Sequence, residues 1–138
     1  MAERQGSTAR TIQQNGEYGN GSVALLNDTL VGDAIADTVV LGSLPGGSSI
    51  FIATMINAAL GASSTISLGY RYIDTADGSA DLTAFHSAVA KASGARTEYA
   101  GAPVVIADGG GVEIVATVGG GAATGALDAV MEYVYNGV

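Results

Sequence analysis

The sequence predicts an all-β protein, an antiparallel β-sandwich of jelly-roll type, on three observations. Seven short apolar runs follow one another from residue 22 onward: SVALLNDTLV, IADTVVLGSL, SIFIATMIN, STISLGYRYI, PVVIA, GVEIVATV and ALDAVMEYVY. Several alternate apolar and polar residues with period two, as half-buried strands do. Gly, Ser and Asp clusters punctuate them, with no strand–helix–strand rhythm between. An immunoglobulin-like sandwich ranks second, because its paired Cys and buried Trp are missing from a chain that has neither residue type.

The elements read as follows. Residues 1–22, MAERQGSTARTIQQNGEYGNGS, hold four Gly and almost no large aliphatics, and Glu3 and Glu17 cancel Arg4 and Arg10. They read as a polar, flexible N-terminal arm that orders on a partner, ahead of a single sandwich domain over residues 23–138. In that domain Ile66, Leu68, Tyr70 and Tyr72 alternate with Thr65, Ser67, Gly69 and Arg71. Val112, Ile114, Ala116 and Val118 likewise alternate with Glu113, Val115 and Thr117. Pro45-Gly46-Gly47, Asp77-Gly78, Gly109-Gly110-Gly111 and Gly119-Gly120-Gly121 are turn signals. Residues 80–93 lose the alternation. Leu82, Phe85, Val89 and Ala92 fall there at helical spacing, so this Ala-rich excursion is one short helix or an irregular segment. Residues 127–135 fit both periods, and their Val and Tyr content favours a strand with Leu127, Met131, Tyr133 and Tyr135 on one face.

Composition limits the function classes. A chain of 138 residues that is 48% apolar and 13% charged supports one domain with one real core. Thirteen acidic against five basic side chains give a net charge of -8, all of it carried by the body. Nucleic acid and anionic membranes, which demand clustered Lys and Arg, are therefore excluded as expected partners. With no Cys there is no disulfide framework and no thiolate metal site. No apolar signal-peptide core is visible in the first 22 residues, and the most apolar window, residues 50–62, is too short to span a bilayer.

No constellation supports an enzyme. His86 is the single histidine; a general base needs an orienting carboxylate and a nucleophile, and Asp81 is merely the nearest acid in sequence. Asp74, Asp77 and Asp81 in DTADGSAD suggest calcium superficially. The EF-hand register fails, because Ala76 stands where the second ligand belongs and no Glu closes the loop, so a solvated turn is the better reading. The glycine runs lack the Lys and Ser or Thr of a phosphate-binding loop, and no G-x-S-x-G is present. Tyr70, Tyr72, Tyr99, Tyr133 and Tyr135 fit half-buried packing better than a sugar-binding face. The expectation is no catalytic residue, no cofactor and no metal.

The order of segments nevertheless resembles a family. A polar arm precedes VVLGSLPGGSSI, then STISLGYRYIDTADGSADL, and the chain closes with TVGGGAATGALDAVMEYVYNG. Over roughly residues 38–137 this is similar to the capsid decoration, or cement, proteins of tailed bacteriophages, small jelly-roll proteins of the virion. The resemblance implies a non-enzymatic structural protein on the outer capsid surface, made in the bacterial host cytoplasm. It would bridge major capsid protein subunits and stabilise the icosahedral shell. It also implies a homo-dimer or trimer, since symmetry axes favour oligomers. The arm, through Arg4, Arg10 and Tyr18, is then the candidate capsid contact. The alternatives are a tail or head–tail component, and a carbohydrate-binding jelly-roll module.

Overall fold

Alternation in the sequence becomes alternation in burial. The computed structural model describes residues 2–6 and 21–135. Its strands are β1 (Glu3–Gln5), β2 (Gly21–Asp33), β3 (Thr38–Leu44), β4 (Ser48–Asn57), β5 (Thr65–Tyr72), β6 (Asp81–Ala90), β7 (Ala95–Glu98), β8 (Val104–Val105), β9 (Val112–Gly119) and β10 (Ala123–Tyr135). Ile66 and Leu68 on β5, and Val112, Ile114, Ala116 and Val118 on β9, are fully buried or nearly so, as their spacing predicts. Residues 127–135 are indeed strand, with Leu127, Ala129, Met131 and Tyr133 turned inward.

Two sheets pack face to face. A front sheet has the order β1-β3-β9-β5-β6; a back sheet has the order β2-β10-β4-β7, with β8 also pairing β4. The pairings are nested: β2 with β10, β3 with β9, β4 with β7 and β8, and β5 with β6. Such nesting is a long hairpin, tip at β5–β6, rolled up so that its rungs fall alternately in the two sheets. That is the jelly-roll topology. The Gly119–Gly121 run is the corner by which β9, in front, feeds β10, at the back; Gly120 has φ +72°, a conformation that favours glycine. The core lies between the sheets, where Leu26, Leu30, Leu41, Ile50, Met55 and Met131 join the β5, β9 and β10 residues above.

The short helix allowed for residues 80–93 does not form; β6 occupies most of that span. Its pairing with β5 explains the misleading pattern. Leu68 is opposite His86 and Tyr70 opposite Asp81, so β5 advances two residues while β6 advances five. A second irregularity lies between Ile66 and Leu68, and Ala88 has φ +46°. Bulges insert unpaired residues and reset which side chains point inward. Phe85 and His86, adjacent in sequence, are therefore both buried, at 5% exposure each.

The same excursion closes the outer side of the front sheet. Asp81 and Leu82 cross Gly69 so closely that a Cβ there would overlap the Asp81 carbonyl oxygen and the Leu82 backbone. Leu82 thereby packs on Val40 and Val115, outward residues of β3 and β9 that are both 0% exposed.

Candidate functional site

Residues 2–6, the start of the expected arm, lie along the body as an edge strand. β1 pairs in parallel with β3, Glu3 opposite Thr38 and Gln5 opposite Val40, and the Gly6 amide donates to the Val40 carbonyl at 2.6 Å. Arg4 turns toward the opening between the sheets. Its Nε donates to Asp33 Oδ1 at 2.9 Å, and its Nη2 donates to Asp33 Oδ2 at 2.8 Å and Asp28 Oδ2 at 2.5 Å. Both aspartates are 8% exposed. The guanidinium holds the Asp33 carboxyl below its ordinary range, and these acceptors raise the Arg4 pKa in return.

A second ion pair group fixes the neighbouring residue. The half-buried Arg71 guanidinium donates through Nε to Glu113 Oε1 at 2.9 Å and through Nη1 to Glu3. That hydrogen bond lowers the Glu3 pKa. The Ala2 amide donates to Asp37 Oδ1 at 2.8 Å, and the Ala34 amide donates to Oδ2 at 3.0 Å. Glu3 and Arg4 thus tie one short strand to both sheets at once. The hollow beside it, lined by Ala2, Glu3, Arg4, Asp33, Asp37 and Thr38, has a volume of 40 Å³. Pockets that hold organic ligands run to several hundred, so this one takes water only.

Of the candidate contact residues, Arg4 is placed in this cluster; Arg10 and Tyr18 lie outside the described residues. Asp28 and Asp33 were not singled out from sequence, although a signal for Asp28 existed. It shares the inward face of β2 with Ala24, Leu26 and Leu30, and an acid at a core position needs a cation.

The remaining polar candidates serve the fold. His86 is buried, its Nε2 2.9 Å from the Ala53 carbonyl oxygen, and burial lowers its pKa. Lys91 is wholly buried and donates from Nζ to Thr97 Oγ1 at 2.7 Å; burial lowers its pKa too. In the acidic loop Asp74 Oδ1 accepts from the Ala76 amide, Asp77 Oδ2 from the Gly110 amide, and Asp81 Oδ1 from the Thr83 amide. The first and third are local turn-forming bonds, and the second ties this loop to the Gly109–Gly111 turn. No group of three or more His, Asp or Glu among the described residues is arranged to hold a metal ion. Tyr70 meets Tyr72 edge-on at 5.8 Å, Phe85 meets Tyr99 at 5.5 Å, and Tyr133 is buried, so these rings pack rather than form an exposed platform.

The outer side of the back sheet is different. Val23 and Leu25 on β2 are 58% and 56% exposed. Across the sheet Leu25 aligns with Val130, and Val23 aligns with Glu132 and then Ile52. Asn27 aligns with Asp128 and then Ile56. The result is a mixed surface: apolar side chains surround two carboxylates on the central strand, β10, and beyond Ile56 and Thr54 the exposed Arg96 and Glu98 of β7 border it.

No family model matches the chain, and no curated protein matches it in sequence. Solved structures do match in shape. A chain in the capsid of Ralstonia phage GP4 superposes with a TM-score of 0.72 at 19% identity, covering 97% of each chain. A chain of the capsid asymmetric unit of cyanophage Pam1 gives 0.68 at 17% identity, covering 93% of this chain and 94% of that one. A chain of the acid-stable capsid of Helicobacter pylori bacteriophage KHP30 gives 0.58 at 16% identity, covering 88% and 92%. The jelly roll described above is a fold that chains of phage capsids share from end to end.

Proposed function

We propose that this protein is a non-enzymatic structural component of a phage virion. In this reading it decorates an icosahedral capsid on its outer surface and stabilises it by bridging major capsid subunits. The observation that carries the reading is the end-to-end likeness. The matches cover 88–97% of this chain and 92–97% of the capsid chains, so the likeness runs through nearly all of both chains. The construction supports it: a two-sheet sandwich with a continuous packed core suits a mechanical part. Placement at symmetry axes favours a homo-dimer or trimer, and many identical weak contacts then add through multivalency.

Gly6 and Gly21, the described residues that flank residues 7–20 in sequence, both lie on the body. In the decorating reading the arm residues Arg10 and Tyr18 contact the shell, while Arg4 anchors the start of the arm to the body through Asp28 and Asp33. The deciding experiment is the copy number in purified virions, by densitometry against the major capsid band. A simple ratio to the capsid subunit is expected. A handful of copies per particle would move the protein to the tail or head–tail junction, and absence would end the virion reading.

A further inference from the structure

The two edges of the front sheet are fastened to the back sheet by different chemistry. At the β1 edge, Arg4 is held by two carboxylates. At the β6 edge the polar ties come from two buried bases. His86 Nε2 lies 2.9 Å from the Ala53 carbonyl oxygen on β4; a carbonyl only accepts, so the neutral ring carries its proton on Nε2 and donates it. The Tyr99 amide, just past β7, donates to the same oxygen at 3.1 Å. Lys91, just past β6, donates to Thr97 on β7, and Phe85 meets Tyr99 edge-on.

No acid faces these bases, and neither makes an ion pair among the described residues. β4 holds no ionisable side chain. On β5, Arg71 points outward to Glu3 and to Glu113 of β9, and Tyr70 meets Phe85 with its ring. On β7, Arg96 and Glu98 are exposed and pair with each other. Asp81, at the far end of β6, is exposed; Asp128 and Glu132 of β10 lie on the outer side of the back sheet, and β10 turns only Tyr133 of its titratable groups inward. The charged group that acts on His86 is Lys91, a like charge. Burial, and after it the Lys91 cation, hold the imidazole pKa below the ordinary 6.5 against the pull of the Ala53 carbonyl. β6 is poorly placed to resist: it is an edge strand paired only with β5, its register shifts twice, and Ala88 has φ +46°.

From this cluster we infer that the β6–β7 side of the sandwich is an acid-operated latch: a second proton on His86 frees the stretch from Phe85 to Tyr99 from β4 while the rest of the roll stays closed. An imidazolium at 5% exposure has little water and no carboxylate to stabilise it, and opening supplies the water. As the pH falls below the ordinary 6.5, the open form takes up a proton that the closed form resists. The opening equilibrium then rises by up to about tenfold per pH unit, until the closed form titrates as well. The latch needs no partner and is independent of the decorating reading.

The test is amide hydrogen exchange, read by mass spectrometry on the full-length protein between about pH 8 and about pH 5, with each rate divided by the intrinsic rate at that pH. Below the ordinary 6.5, protection over residues 81–99 should fall by up to about tenfold per unit while β9 and β10 keep theirs. His86→Gln keeps a donor for the Ala53 carbonyl and cannot titrate, so it should flatten that profile. A flat wild-type profile, a His86→Gln profile as steep as the wild type, or an equal loss in β9 and β10 overturns the inference. If His86→Gln does not fold, NMR titration of the wild-type ring replaces it. A midpoint at or above the ordinary 6.5 overturns the latch; one below it, together with selective loss of protection over residues 81–99, upholds it.

Discussion

The two outward faces of the sandwich are woven from similar strands and finished in opposite ways. On the front sheet, Val40 and Val115 point outward yet are 0% exposed, because the bulged start of β6 folds over them and lays Leu82 on top. Arg71 and Glu113 pair on the same sheet. On the back sheet, outward Val23 and Leu25 are more than half exposed, and the strand between them and β4 carries two carboxylates, Asp128 and Glu132, that form no ion pair among the described residues. The difference teaches that apolar outward residues mean two things in one protein: part of a second small core where the chain returns over them, and an exposed apolar surface where it does not.

Substitutions can break or sharpen that contrast. The largest effect is expected from Val115→Glu, which traps an unpaired carboxylate beneath Leu82 and should cost about 4 kcal/mol or prevent folding. Urea unfolding measures it, and a cost no greater than that of an exposed position would erase the distinction between the faces.

Arg4→Ala tests the clasp at the edge between the sheets. It leaves Asp28 and Asp33 buried without their cation. The Arg4 side chain is 35% exposed, so the expected loss is about 2 kcal/mol, below the figure for a fully buried pair. Neutralising both acids in the Arg4→Ala background should recover part of it, as a double-mutant cycle would read.

Acid should act on the same clasp. Glu3 and Asp33 have folded pKa values below their ordinary 4.5 and 3.8. The stability they contribute is present above those values and is lost as pH falls through the depressed ones. His86, lowered from 6.5 by burial, adds an earlier stage, because below that pH the unfolded chain takes up a proton that the folded one resists. The melting temperature should therefore fall in two stages on acidification, and His86→Gln should lack the upper one.

The smallest effect belongs to the open face. Leu25→Glu should change stability by no more than about 0.5 kcal/mol, a null result by thermal unfolding that gives the Val115→Glu loss its meaning.

Much of the fold was legible in the sequence. All seven apolar runs contain strands, from β2 through β5 and then β8 to β10, although PVVIA keeps only the two residues of β8; the alternation shows best in β2, β5, β9 and β10, each with one buried face. What stayed hidden has physical causes. β6 was obscured because its bulges break the very periodicity by which strands are read. β7 and β1, ARTE and ERQ, are short, polar and mostly exposed, so nothing local marks them. The site was half legible. Arg4 stood out as a rare cation in the arm, but its partners lie 24 and 29 residues away, and only the rolled topology brings them together. The contrast between the faces depends on where residues 81 and 82 cross, a tertiary event with no signature in composition.

The clasp also sets an order of events in time. The place where β1 docks is assembled from Asp28, Asp33, the start of β3, Arg71 and Glu113. It is incomplete until residue 113 has been made, 107 residues after Gly6 left the synthetic machinery. At about 5–20 residues per second, the first segment to be born waits on the order of 5 to 20 s for a site to exist. Fastening of β1 is thus a late step, and molecules whose β1 is fastened are those in which β2, β3, β5 and β9 have already come together.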